Sequence, residues 1–99
     1  MDEQERVARF VAENDMECPP AYRLLDLAAE VGELAADAND ATGYGADPDA
    51  FDVKRDELGD ALFALLALCD DLGVDAGAAL DESLAKYGDR VAETGDAGS

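Results

Sequence analysis

Two short stretches of the chain carry one pattern of acid, apolar residue, glycine, acid and apolar residue: Glu30-Val31-Gly32-Glu33-Leu34 and Glu57-Leu58-Gly59-Asp60-Ala61. On a helix, acids at i and i+3 share a face, so two such helices packed antiparallel bring four carboxylates together. Four anions at that spacing repel one another unless a cation sits among them, and a set of oxygen ligands selects a hard ion, Mg²⁺ or Mn²⁺. The chain contains no His. That removes zinc chemistry, a Ser/His/Asp triad and imidazole acid–base work, and leaves hard-metal chemistry as the main catalytic route.

The bland alternative is chance. With 25 acidic residues among 99, acid pairs at helical spacing arise on solvated faces without any role, and Asp37/Asp40 reads as such a pair. The quartet differs in its neighbours: Ala28, Val31 and Leu34 flank one half, and Leu58, Ala61 and Leu62 flank the other, which puts these acids at the edge of a buried stripe. Gly32 and Gly59 add to this. Glycine inside a helix costs about 1 kcal/mol relative to alanine, and its recurrence at one place in both segments implies close backbone approach to another helix beside the site.

The elements that must hold these acids are helices throughout. Val7, Phe10 and Val11 mark a short amphipathic helix from about Asp2 to Asn14, and Pro19-Pro20 ends it and opens a second. The second runs to about Ala41, with Gly43 as its stop. Thr42 to Asp49 is the interior loop. Asp47-Pro48 reads as N-cap and first residue of a third helix, whose wide apolar stripe runs from Phe51 through Leu58, Leu62, Leu65/Leu66 and Cys69 to Leu72. Asp75 caps a fourth through Leu80, Leu84 and Tyr87, which Gly88 ends. No stretch alternates as a strand does. The expectation is an all-α antiparallel bundle of about four helices in one domain, residues 1–90, with a flexible tail over 91–99. A chain of this length has little core of its own, and the stripe is wider than one neighbour covers, so a homodimer or higher homo-oligomer is expected to complete it.

Charge bounds the partners. Seven basic residues against 25 acidic ones give a net charge of −18, which repels nucleic acid and anionic membrane surfaces. Asp outnumbers Glu and there are only two Lys, the acidic surface of a protein adapted to high salt, where screening relieves self-repulsion. Disorder is not implied, since 48% of residues are hydrophobic and recur at helical spacing. Cys18 and Cys69 have no metal-ligand spacing. An acidic N-terminus without an apolar segment and an apolar run limited to Ala61–Cys69 imply a cytoplasmic protein with no membrane span.

The two acid segments, together with the run from Ala61 to Leu72 and Gly73-Val74-Asp75, resemble the MazG-like all-α nucleoside triphosphate pyrophosphohydrolases over roughly Tyr22 to Arg90. That resemblance implies that Glu30, Glu33, Glu57 and Asp60 ligate Mg²⁺ and that a nucleoside triphosphate is cleaved to nucleoside monophosphate and pyrophosphate. The chain departs from the family pattern at Ala29, where many members have Glu, and at Ala67, where many have Asn. The departures leave a second reading open: a catalytically weakened helical dimer acting as an interaction or regulatory module. Without His, a carboxylate must be the base, and Glu33 is the candidate because anionic neighbours raise the pKa of an acid not fully committed to metal. Lys54, Lys86 and Tyr87 are candidate substrate contacts, Lys86-Tyr87 by resemblance; for Lys54 an i,i+3 pairing with Glu57 is the simpler role. For Tyr22, Tyr44 and Tyr87 a core or rim position is simpler than base stacking.

Overall fold

The computed structural model describes residues 2–96, and these form an all-helical chain: α1 (Glu3–Glu13), α2 (Pro20–Thr42), α3 (Arg55–Asp71) and α4 (Ala76–Thr94), with one short 3₁₀ turn at Pro48–Ala50. Local chemistry accounts for most of the boundaries. Asp2 accepts the Glu5 amide at 2.8 Å, and Asp75 accepts the Ala78 amide at 3.1 Å, so α1 and α4 both start from an aspartate cap. α2 starts with Pro20 as its first residue and stops at Gly43, whose φ of 58° is the left-handed conformation that glycine adopts without strain.

Two boundaries differ from the expected ones. Asp47-Pro48 does not open α3: the Asp47 side chain makes no capping bond, the turn closes once through the Ala50 amide on the Asp47 carbonyl at 3.1 Å, and Phe51 leaves in extended backbone. Phe51, Asp52 and Val53 are all mediocre helix formers, so nothing carries the turn forward until Arg55. There Asp56 and Glu57 sit in the first turn and favour the positive end of the helix dipole. Gly88 does not end α4 either. The helix runs through it to Gly95, at φ 76°, because Val91 extends the stripe of Leu80, Leu84 and Tyr87 by another turn. Residues 91–94 of the expected tail are therefore helical, and residues 97–99 lie outside the described residues.

Packing centres on α3, which lies against both α1 and α2, while α4 meets α3 only lightly. The buried apolar residues are Val11 of α1 and Ala64, Leu66 and Ala67 of α3, and the Phe10 and Phe63 rings meet edge to face at 6.1 Å. Gln4 ties α1 to the start of α4: its side chain donates to the Val74 carbonyl and accepts the Ala76 amide, each at 2.7 Å. Much of the expected stripe stays in solvent. Leu58, Leu62, Leu65 and Leu72 of the α3 stripe and Leu80, Leu84 and Val91 of α4 are all exposed. Gly32 and Gly59 also stand in the open, with no atom within 4 Å of where a Cβ would be, so the close helix approach expected at them does not occur within the chain. Among the described residues no helix is long and apolar enough to cross a membrane.

The helix boundaries are testable by denaturation. Gly88→Ala is expected to raise unfolding stability by about 0.5–1 kcal/mol, since alanine suits a helix interior. Gly43→Ala is expected to lower it by about 1–2 kcal/mol, because an L-residue is strained at that positive φ. A destabilising Gly88→Ala would mean that α4 does not pass through this position.

Candidate functional site

The acids of the two repeated segments come from α2 and α3, and contacts between these helices show how they are placed. Arg23, in the first turn of α2, has its Nε 3.5 Å from an Asp71 carboxylate oxygen at the last turn of α3. Glu30, in the middle of α2, shares a cavity of about 270 Å³ with Asp60. Asp37, a further two turns along α2, stands beside Glu57 near the start of α3. The cavity wall also includes Asp26 and Ala29 of α2 and Phe63 of α3.

The electrostatics divide the expected quartet into two groups. Glu30, half-buried, has its carboxyl pushed above the ordinary 4.5, first by partial loss of solvent and then by the charges of Glu33, Asp60 and Asp26. Glu57, also half-buried, is pushed up by loss of solvent and by the Asp37 carboxyl beside it; Lys54 pulls the other way. Glu33 and Asp60 therefore bear on Glu30, whereas Glu57 faces Asp37. Asp37, to which the sequence reading gave no function, is the acid that stands against Glu57. Among the described residues no three acids or cysteines stand in an arrangement able to hold a metal ion. The donors are hard oxygens and suit a hard cation chemically, and the mutual repulsion is what such a cation relieves.

The remaining expected contacts are spread out. Lys54 is the residue preceding α3 and acts on Glu57, in keeping with the simple pairing. Lys86 and Tyr87 lie on α4, where the Lys86 ammonium sits 5.2 Å from the centroid of the neighbouring Tyr87 ring and the Arg90 guanidinium 5.7 Å from it. Neither Lys86 nor Tyr87 belongs to the wall of the cavity that holds Glu30 and Asp60. Tyr44 projects from the loop after α2 and is 84% exposed.

The sequence reading missed Asp26 and Arg23. A signal was present: residues 23, 26, 30, 33 and 37 recur at steps of three and four, which is one continuous stripe of α2. Compared with protein-family models, with curated proteins and with solved structures, the chain matches none.

A raised carboxyl pKa has a signed consequence for stability. Between 4.5, the ordinary value, and the raised folded-state values, the folded chain binds more protons than the unfolded one, so stability falls as pH rises through that window. Thermal unfolding followed from pH 7 down towards 5 should therefore show wild type gaining stability. Glu30→Gln and Glu57→Gln should each start more stable at pH 7 and gain less on acidification. Parallel pH profiles for wild type and both variants would show that these carboxyls are unperturbed.

Proposed function

We propose that this chain is a Mg²⁺-dependent nucleoside triphosphate pyrophosphohydrolase of the MazG-like kind, clearing surplus or non-canonical nucleotides. The observation that carries the reading is that Glu30 of α2 and Asp60 of α3, one acid from each repeated segment, face a single cavity and that the charges of Asp60 and Glu33 bear on Glu30. By the resemblance the ligands of the ion would be Glu30, Glu33, Glu57 and Asp60; of these, Glu33 and Asp60 bear on Glu30, and Glu57 would have to turn from Asp37 to join them. Mg²⁺ supplies charge neutralisation of the polyphosphate and polarisation of the α-phosphorus. The chain's own part is to orient a water and accept its proton at the Glu33 carboxylate. The water oxygen bonds to the α-phosphorus while the bond to the α,β-bridging oxygen breaks, and that oxygen leaves with pyrophosphate. Cytoplasmic location follows from such a role.

The reading includes an antiparallel pairing of α2 and α3, supported by the order of their contacts: Arg23 with Asp71, Glu30 near Asp60, Asp37 with Glu57. It also includes a homodimer or larger homo-oligomer. The chain exposes 7154 Å², against about 5,400 Å² expected of a folded monomer of its mass. Its radius of gyration is 16.4 Å, against about 13 Å for a compact chain of this length. The excess area per chain is of the size that one partner contributes to a permanent dimer, and the uncovered stripes of α3 and α4 are apolar enough to fill it. A second reading, the catalytically weakened helical dimer, is favoured by the division of the acids into two groups and by Ala29 and Ala67.

Pyrophosphate release from canonical, deoxy and modified triphosphates, assayed with Mg²⁺ in molar salt, separates the two readings. Turnover is expected in wild type, and Glu33→Gln and Asp60→Asn should each lower it by at least about a hundredfold while leaving helicity intact. Equal rates in wild type and variants would remove the site assignment, and no turnover of any triphosphate would favour the interaction module.

Assembly is checked by light scattering across a salt series. A dimer is expected in molar salt and should dissociate as salt falls, because the screening length grows from about 3 Å at 1 M to about 30 Å at 0.01 M and unmasks repulsion between acidic subunits. A compact monomer that is active in molar salt would overturn the oligomer.

A further inference from the structure

The stretch of α3 from Ala61 to Cys69 carries no charge, in a chain whose net charge is −18. A helix that is apolar all the way round is stable only when every side of it is covered. α1 and α2 cover two sides. Phe63 meets Phe10 of α1, Leu66 shares a groove with Val7 and Phe10, and Asp60 and Ala64 share a cavity with Asp26 and Glu30 of α2. The third side is open: Leu58, Leu62, Leu65 and Leu72 are exposed along it and Cys69 is half-buried.

Spacing gives that side a definite form. Positions 58, 62, 65, 69 and 72 step by four, three, four and three, the interval of a seam between packed helices. At the helical rise per residue the seam is about 21 Å long. α4 repeats the form: Leu80, Leu84, Tyr87 and Val91 step by four, three and four over about 17 Å, and all four are exposed. α4 buries no residue, and its half-buried positions are the small Ala76, Ala79 and Ser83. Gln4 fixes the first turn of α4 through the Val74 carbonyl and the Ala76 amide, at 2.7 Å each. In that position the two seams of one chain do not cover each other, since every leucine of both stays exposed.

Two seams of like spacing and similar length on successive helices form a self-complementary surface: a second copy supplies what each lacks, and a two-fold axis supplies it twice. The area agrees. The 7154 Å² that the chain exposes exceeds that of a folded monomer of its mass by about 1,750 Å², within the roughly 1,000–2,500 Å² that each subunit gives up in a permanent dimer. Charge permits the approach, because Gly59, Ala61, Leu66 and Leu68, which flank the α3 seam, are all uncharged. An anionic membrane is no substitute cover for a chain this acidic.

We propose that α4 of each copy packs along the α3 seam of the other, so that two α3 and two α4 helices enclose a second core about a two-fold axis. The proposal rests on the self-association included in the reading above and on none of its chemistry; it names the surface and the pairing. The new core takes Leu62, Leu65, Leu80 and Leu84 out of water. The cavity of Glu30 and Asp60 lies on the side of α3 towards α2 and stays outside that core.

The test is sedimentation equilibrium of the full chain in molar salt, with helicity followed by circular dichroism. Wild type should be a dimer. Leu65→Lys on α3 and Leu84→Lys on α4 should each weaken dimerisation at least about a hundredfold, because a charge enters an apolar contact, and both should keep their helicity. Leu25→Lys on α2, also exposed in the single chain, should leave the dimer intact. Each substitution makes the chain less negative, which by itself favours association, so a loss reports the seam. Mixing the Leu65→Lys and Leu84→Lys chains tests the pairing. A mixed dimer has one contact in which both seams are unaltered, so it should form at least about tenfold more tightly than either variant alone. If Leu65→Lys does not fold, Leu84→Lys decides, since α4 buries no residue. A wild type that is monomeric in molar salt overturns the proposal, whether or not α4 has closed on its own α3. Dimerisation unchanged in Leu65→Lys and Leu84→Lys overturns the seam and leaves self-association standing; an equal loss in Leu25→Lys overturns it too, and a mixture that shows no recovery overturns the pairing of α4 with α3. A seam-dependent dimer that hydrolyses no triphosphate supports the proposal and removes the hydrolase reading, and turnover by a monomer does the reverse.

Discussion

The contact between α2 and α3 brings like charges together. Glu30, Glu33 and Asp26 of one helix face Asp60 of the other, and Asp37 faces Glu57. Only Arg23 supplies a buried positive charge to this contact, and it lies at the end where Asp71 is. Helices held apart by such repulsion can pack only if something offsets it. The described residues show two means: small side chains that allow intimate contact nearby, and solvent exposure of Glu33 and Asp60, where dissolved ions screen them. A bound cation would be a third, and it is the one that turns an electrostatic cost into chemistry.

The same contact explains why the core is so small. On α3 the buried positions are Ala64, Leu66 and Ala67, two of them alanines, so the helix can sit close to its neighbours while burying little area of its own. The larger side chains of its stripe, Leu58, Leu62, Leu65 and Leu72, point away from the interior and remain in water. α4 carries Leu80, Leu84 and Val91 in the same condition. A sequence with nearly half its residues hydrophobic has apolar surface to spare, and the proposed second copy gives it somewhere to go. In that arrangement the acidic surface sets the conditions under which two copies can approach, and the apolar stripes supply the reason for staying together.

Function, on the proposed reading, uses the imbalance in charge. A strongly acidic chain repels a polyphosphate unless metal ions lie between its carboxylates and the phosphates. At the cavity between α2 and α3 the one guanidinium that is buried among the described residues, that of Arg23, is held by the Met16 carbonyl and by the Asp71 carboxylate 3.5 Å from its Nε.

What could be read from the chain itself is what depends on neighbours a few residues apart. Asp2 and Asp75 cap the helices that follow them, Pro20 opens α2, and Gly43 closes it. Each of these rests on one residue's backbone geometry or one short hydrogen bond, which local sequence specifies. The two boundaries that differed, after Pro48 and at Gly88, are places where a proline or glycine signal competed with its flanking residues and those residues prevailed. The acids were legible as pairs, since i,i+3 spacing guarantees a common face. Their partners were not. Whether Glu57 meets Glu33 or Asp37 depends on how far one helix is slid and rotated along the other, and that is decided by the packing of Phe63, Ala64 and Ala67 into the space beside α1 and α2, not by any residue near Glu57 in the chain. The burial of Arg23 has the same origin: an arginine reads as surface in sequence, and only the meeting of the α1–α2 link with the end of α3 encloses it.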